Sequence, residues 1–180
     1  VIALRGSVTL EDWWHDLQAV ADPHDHDGLG PVHAGFADHM EATWKDVQRY
    51  TAGPRVVIGH SLGAARAAIL TGLMVLADQP PLARVVWGEP LSGFRQLADL
   101  ISAVPARSYR NGDWRQHDPV TDLPIPTPHL PYYRAQGLVD ICVPPKWTLF
   151  GSWHRFPLIG WHDMQLYAKG TPNCEIARLA

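Results

Sequence analysis

The sequence predicts an α/β fold: a mostly parallel central sheet with helices on both faces, in one domain over residues 1–180. Three observations carry this. Short β-branched runs at 1–5, 56–58, 83–87 and 106–110 alternate with segments whose apolar residues recur at helical spacing. The stretch RVVIGHSLGAARAAILTG at 55–72 is a strand, a glycine-flanked turn and an alanine-rich helix in direct succession. Finally, 180 residues with 46% hydrophobic composition are enough to bury roughly 70% of the unfolded chain's surface, so no disulfides are needed to fold.

Taken in order, strand 1–5 runs into Gly6-Ser7. Leu10, Trp13, Trp14 and Leu17 then fall at i, i+3, i+4 and i+7, and Thr9 with Asp12 forms a capping-box pair, predicting an amphipathic helix with an aromatic face. Residues 21–31 read as a solvated polar loop. Its His24, Asp25, His26 and Asp27 do not fit a calcium loop: the first ligand position counted from Gly28 is Pro23, and the twelfth is Ala34 rather than glutamate. Residues 35–51 carry Phe36, Met40, Trp44, Val47 and Tyr50 on one face, predicting a core-facing helix. After the strand at 83–87, Gly88-Glu89-Pro90 turns the chain. Leu91, Phe94, Leu97, Ala98 and Ile101 then predict another helix, and 106–110 a strand. Five prolines between 119 and 131 predict an irregular surface loop. Residues 132–143 read as a hairpin turning at Gln136-Gly137. Trp147, Phe150, Trp153 and Phe156 in the tail read as cover for the sheet edge or as the rim of an acyl groove, and a last short helix runs over 162–169.

Chemistry concentrates at Ser61. A serine between Gly59 and Gly63 on a strand-to-helix turn has the form G-x-S-x-G, in which strained backbone exposes the hydroxyl as a nucleophile. The backbone N–H of Leu62, at a helix N-terminus, is placed to stabilise a developing oxyanion. Such a serine needs a histidine base oriented by a buried carboxylate. In the chain order Ser, Asp or Glu, His, the ten histidines thin to those after Ser61. His117, His129 and His154 lie beside a carboxylate or in irregular loops, whereas His162 opens a late helix, where the base belongs. Asp118, Asp113 and Asp122 are the carboxylate candidates: Asp118 follows the 106–110 strand, and Asp113 sits in an Asn-Gly-Asp turn.

A net charge of -3 leaves no nucleic-acid footprint, and no apolar window is long enough to cross a bilayer. Cys142 and Cys174 form no framework and are expected as packed thiols. The chain opens on Val1 inside a core strand, which is expected of an excised piece or of a sequence given without its upstream residues. Compartment stays open.

The runs LRGSVTLEDWWHDLQ, VHAGF, IGHSLGAARA, WGEPLSG, RNGDWRQHDPVTDLP and WHDMQLY, in this order across nearly the whole chain, resemble the class 3 lipases, fungal-type triacylglycerol lipases and related esterases. The resemblance implies an α/β-hydrolase fold in a compact version lacking the usual N-terminal segment. It implies Ser61 as nucleophile, Asp118 in D-P-V-x-x-L-P as acid, His162 in H-x-x-x-x-Tyr167 as base, and Ser7 with Leu62 as the oxyanion hole. No cofactor and no metal are implied, and the partner is a small-molecule or lipid ester, with transient contact to a lipid surface. Leu10, Trp13, Trp14 and Leu17 correspond to a lid over the acyl site; the alternative packs Trp13 in the core with Asp16 as a cap. Two positions depart from the family pattern: Ala64 replaces a common second glycine, and Arg134 to Asp140 stands where a histidine and a glutamate are usual. The expected activity is carboxylester hydrolysis through an acyl-enzyme. Acyl transfer to another acceptor, thioester cleavage and a non-catalytic binding domain are the rival readings.

Overall fold

A computed structural model describes residues 1–6, 23–112, 117–141 and 162–171. The predicted lid residues Leu10, Trp13, Trp14 and Leu17, together with Ser7, Asp113, Cys142, Cys174 and the aromatic tail, lie outside the described residues.

The central sheet holds β1 (Ile2–Leu4), β4 (Val56–His60), β5 (Ala83–Trp87), β7 (Ala106–Asn111) and β9 (Leu138–Ile141) in that spatial order, every neighbouring pair parallel. Alternation along the strands sorts side chains between two layers. Val57 and Val86 face a core built with α1 (Ala34–Ala37), α2 (Met40–Tyr50), α3 (Leu62–Leu76) and α4 (Arg95–Ile101). Val85, Trp87 and Tyr109 face the opposite side, where Tyr167 of α5 (Met164–Gly170) joins them. Helix α3 is apolar nearly all round, and Ala64, Ala65, Ala67, Ile69, Leu70 and Met74 are fully buried, as expected of a helix enclosed by sheet and neighbouring helices. No helix among the described residues is long and apolar enough to cross a membrane.

A second, antiparallel sheet, built in order from β2 (Pro23–His26), β3 (Gly30–His33), β6 (Gly93–Phe94) and β8 (Tyr132–Tyr133), was not expected from the sequence. Its β2 (Pro23–His26) and β3 (Gly30–His33) are a hairpin where the sequence predicted a solvated loop. Gly28 and Gly30 at φ 81° and 69° turn the chain, and Leu29 between them is fully buried, anchoring the turn in the core. Polarity concealed the strand because most of β2 faces away from that core.

Five further expectations are corrected. The helix expected at 35–51 breaks at Asp38-His39, with His39 in the left-handed region, and Phe36 and Met40 are buried on either side of the break. Tyr50, at the end of α2, is 73% exposed beside Arg49, because the helix runs past the core there. Helix α4 starts at Arg95, since Phe94 is extended and pairs with Tyr132 in the second sheet. The hairpin expected at 132–143 is not formed by its described residues, 132–141: β8 (Tyr132–Tyr133) pairs antiparallel with β6 (Gly93–Phe94), and β9 pairs parallel with β7. The Gln136-Gly137 turn instead carries the chain from one sheet to the other, with Gly137 at φ 97° and pressed so close to the Ala106 carbonyl that a Cβ would lie 2.6 Å from it. The proline-rich loop is also only partly superficial. Its 3₁₀ turn, Pro119–Asp122, buries Val120 and Thr121, and Leu123 follows them inward.

Candidate active site

The predicted site residues that the structure describes gather at the carboxyl ends of the parallel strands. Ser61 directly follows β4 with φ 59° and ψ -126°, a conformation costly for a non-glycine residue, on the order of 1–3 kcal/mol, and one that persists only where its surroundings impose it. They do so here. The Ser61 N–H donates to the Trp87 carbonyl at 3.0 Å, and the Ser61 carbonyl accepts from Ala64 and Ala65 at 2.9 and 3.2 Å. Glycine is required on both sides: a Cβ on Gly59 would sit 2.2 Å from the Gly63 carbonyl oxygen, and one on Gly63 would sit 2.2 Å from that of Leu4. Leu62 opens α3, so its N–H belongs to the first turn, where amides have no acceptor within the helix.

Beyond β7, Asp118 caps the 3₁₀ turn, accepting from the Val120 N–H at 3.0 Å through Oδ1. Its other oxygen, Oδ2, lies 2.5 Å from Nδ1 of His162 and accepts from the Tyr167 hydroxyl at 2.5 Å. Both Asp118 and His162 are fully buried. Burial pushes the Asp118 carboxyl up, but the charge of His162 and the hydrogen bonds from His162, Tyr167 and Val120 outweigh it and hold the group below the usual carboxylate range. The Tyr167 phenol is pushed well above its ordinary value by burial and by the Asp118 charge, so it stays a donor; its oxygen in turn accepts from the Asn111 N–H at 3.1 Å. Asp163 caps α5 by accepting from Gln165 N–H at 2.8 Å, which sets the helix start directly after His162.

Sequence reasoning missed three residues here. Gly88, in the left-handed region at φ 57°, passes so close that a Cβ would lie 2.6 Å from Cε1 of His162 and 3.0 Å from Asp118 Oδ2. A lone glycine at a strand end was its signal. His60 was set aside because it precedes Ser61 in the chain, yet its ring stacks on His162 with centroids 4.7 Å apart. Arg134 donates to the carbonyls of Glu89 and Thr121, tying the turn after β5 to the Asp118 loop, and Glu89 is itself paired with buried Arg84. Of the other candidates, Asp122 is half exposed and pairs with His117. Among the described residues no group of three or more His, Cys, Asp or Glu side chains is arranged to hold a metal ion.

Comparison with known proteins agrees with this architecture. A family model, Lipase (class 3), matches residues 1–127, a span that holds Ser61 and Asp118. The chain belongs to the class 3 lipase family. Solved lipases share its fold: that of Rhizopus microsporus var. chinensis is 21% identical with a TM-score of 0.59 over 77% of this chain and 50% of its own. The mono- and diacylglycerol lipase of Aspergillus oryzae is 18% identical, with a TM-score of 0.59 over 93% of this chain and 69% of its own. A triacylglycerol lipase whose catalytic centre is formed by a serine protease triad is 20% identical, with a TM-score of 0.55 over 78% of this chain and 57% of its own. This class 3 lipase chain thus spans about half the length of the Rhizopus lipase it matches. Comparison with curated proteins gave no match.

Proposed function

We propose that this chain is a serine carboxylester hydrolase of the lipase and esterase kind, acting through an acyl-enzyme on Ser61. The observation that carries the reading is the buried Asp118–His162 pair at the same sheet end as a serine held in strained elbow geometry. In this reading His162 accepts the Ser61 hydroxyl proton through Nε2 as Oγ attacks the ester carbonyl carbon. The resulting oxyanion is met by the Leu62 N–H and, by the family resemblance, by Ser7. Collapse breaks the bond to the alcohol, which leaves with the proton from His162. Water, deprotonated by His162, then releases the acid and restores the serine. Asp118, an acceptor at Nδ1, fixes the tautomer whose unprotonated Nε2 acts as the base, and stabilises the imidazolium. Membership of the lipase family favours an ester with an acyl chain as substrate.

Initial rates on nitrophenyl esters from acetate to palmitate test this, with Ser61→Ala as control. That variant is expected to stay folded and lose on the order of 10³-fold or more in kcat. Near-native hydrolysis by Ser61→Ala would move the nucleophile elsewhere. Product partitioning between acid and a new ester when a short alcohol is added separates hydrolysis from acyl transfer.

A further inference from the structure

We infer that His60 is a positioning residue for His162, its Nε2–H donating to the His162 carbonyl while its ring supports the face of the base, an assignment that rests on the reading of His162 as general base. His60 is the last residue of β4 and the chain neighbour of Ser61. Its Nε2 lies 3.1 Å from the His162 carbonyl oxygen. A carbonyl only accepts, so this contact selects the Nε2–H form of His60. The two imidazoles stack with centroids 4.7 Å apart and planes 28° from parallel, and Tyr167 meets His60 edge-on at 5.7 Å.

The consequence is mechanical. Asp118 holds the His162 ring at one atom, Nδ1, which by itself fixes neither the ring plane nor the backbone behind it. His60 holds the backbone by its carbonyl and the ring plane by its stacked face. The strand end that delivers Ser61 thus also locates the base, coupling the two positions through one residue. Small displacements matter here, since about 1 Å of misplacement can cost on the order of 10²-fold in rate.

Charge follows the same geometry. Among the described residues, His162, Asp118, Asp163 and Tyr167 are the titratable groups that face His60. Burial, and then the charge of His162, lower His60 from 6.5 to about 4, against the opposing pull of the His162 carbonyl, Asp118 and Asp163. At neutral pH it therefore presents an uncharged ring to the imidazolium that forms on His162 in each acyl transfer. A protonated His60 would instead set two like charges face to face.

The test uses the full chain, with His60→Phe, which keeps a ring and removes the donor, and His60→Gln, which keeps a donor and removes the ring. Fluorophosphonate labelling of Ser61 and kcat/KM from about pH 5 to 9 are measured on variants shown to be folded, and nitrogen-15 NMR reports the His60 tautomer. His60→Phe is expected to lose on the order of 10-fold in kcat with little change in KM, His60→Gln to recover part of it, and both to shift the acid limb of the profile. In the wild-type protein His60 is expected to stay neutral and protonated on Nε2 between about pH 5 and 8. A His60 that titrates in that range or carries its proton on Nδ1, or a folded His60→Phe with wild-type kcat and acid limb, overturns the inference. Wild-type protein that fails to label at Ser61 overturns the general-base reading and this inference with it, whereas normal labelling with unaffected His60 variants overturns this inference alone.

Discussion

Two imidazole–carboxylate pairs of equal length draw on the same stretch of chain, through the neighbours Asp118 and His117, and they differ in their surroundings. Nδ1 of His162 and Oδ2 of Asp118 are 2.5 Å apart with both side chains 0% exposed; Nε2 of His117 and Oδ2 of Asp122 are also 2.5 Å apart, but with side chains 21% and 52% exposed. Water reaches the second pair and screens its charge, so it contributes about 1 kcal/mol or less. Around the first, water is replaced by fixed partners: the Tyr167 hydroxyl and the Val120 N–H complete the carboxylate, while the stacked His60 covers the imidazole. A short His–Asp distance therefore says little about chemistry. Enclosure and the remaining hydrogen bonds decide whether the carboxylate can hold a tautomer and stabilise an imidazolium.

The comparison breaks most sharply on the carboxylates. Asp118→Asn is expected to lower kcat about 10⁴-fold, as expected when a base is left in the wrong tautomer, while Asp122→Asn stays within a few-fold of the wild type. Esterase rates of both purified variants, with circular dichroism to confirm folding, check this; comparable losses would mean that enclosure is not what separates the pairs. Asp113, outside the described residues, is expected to behave like Asp122 on the reading that assigns the acid to Asp118.

A methyl group sharpens the same contrast. Gly88→Ala adds a Cβ 2.6 Å from Cε1 of His162, in a backbone conformation that already favours glycine. Displacing the ring should cost on the order of 10²-fold in kcat, with no effect on the His117 pair, whose histidine NMR signals should be unmoved.

Tyr167→Phe removes a donor to the Asp118 carboxylate together with the phenol oxygen that accepts from the Asn111 N–H. Loss of a hydrogen bond to a charged group is worth about 1.5–3 kcal/mol, which should appear as a lowered urea midpoint and roughly a 10-fold fall in kcat. An unchanged midpoint would mean that the tyrosine carries none of the carboxylate's support.

At neutral pH the smallest effect concerns His60 and stability. Its folded value of about 4 lies below the ordinary 6.5, so the unfolded chain binds this proton first as pH falls. The contribution is complete above pH 6.5 and is lost as pH drops towards 4. Urea midpoints measured across that window should fall more steeply for the wild type than for His60→Phe; parallel curves would contradict the assignment.

How far this site was readable in the sequence depends on where each residue finds its partner. The elbow was legible because Gly59, Ser61 and Gly63 impose their geometry within five residues of chain, and the strands expected at 83–87 and 106–110 because both of their faces are covered. His60 was passed over since its partner lies 102 residues away and only the fold brings the rings together. The same non-locality hid the second sheet. Tyr132 pairs with Phe94 and Leu138 with Ser108, so a glycine turn between two short apolar runs read as a hairpin that does not exist. Val120 and Leu123 were placed at the surface because the prolines around them rule out a regular helix or strand but not burial.

The most direct test of the account is to identify the residue that reacts. Wild-type protein treated with a fluorophosphonate and analysed by peptide mass spectrometry should carry one adduct on Ser61, formed at least about 10³-fold more slowly in Asp118→Asn, and absent in Ser61→Ala. An adduct on another serine, or labelling of Ser61 at an undiminished rate without the Asp118 carboxylate, would contradict it.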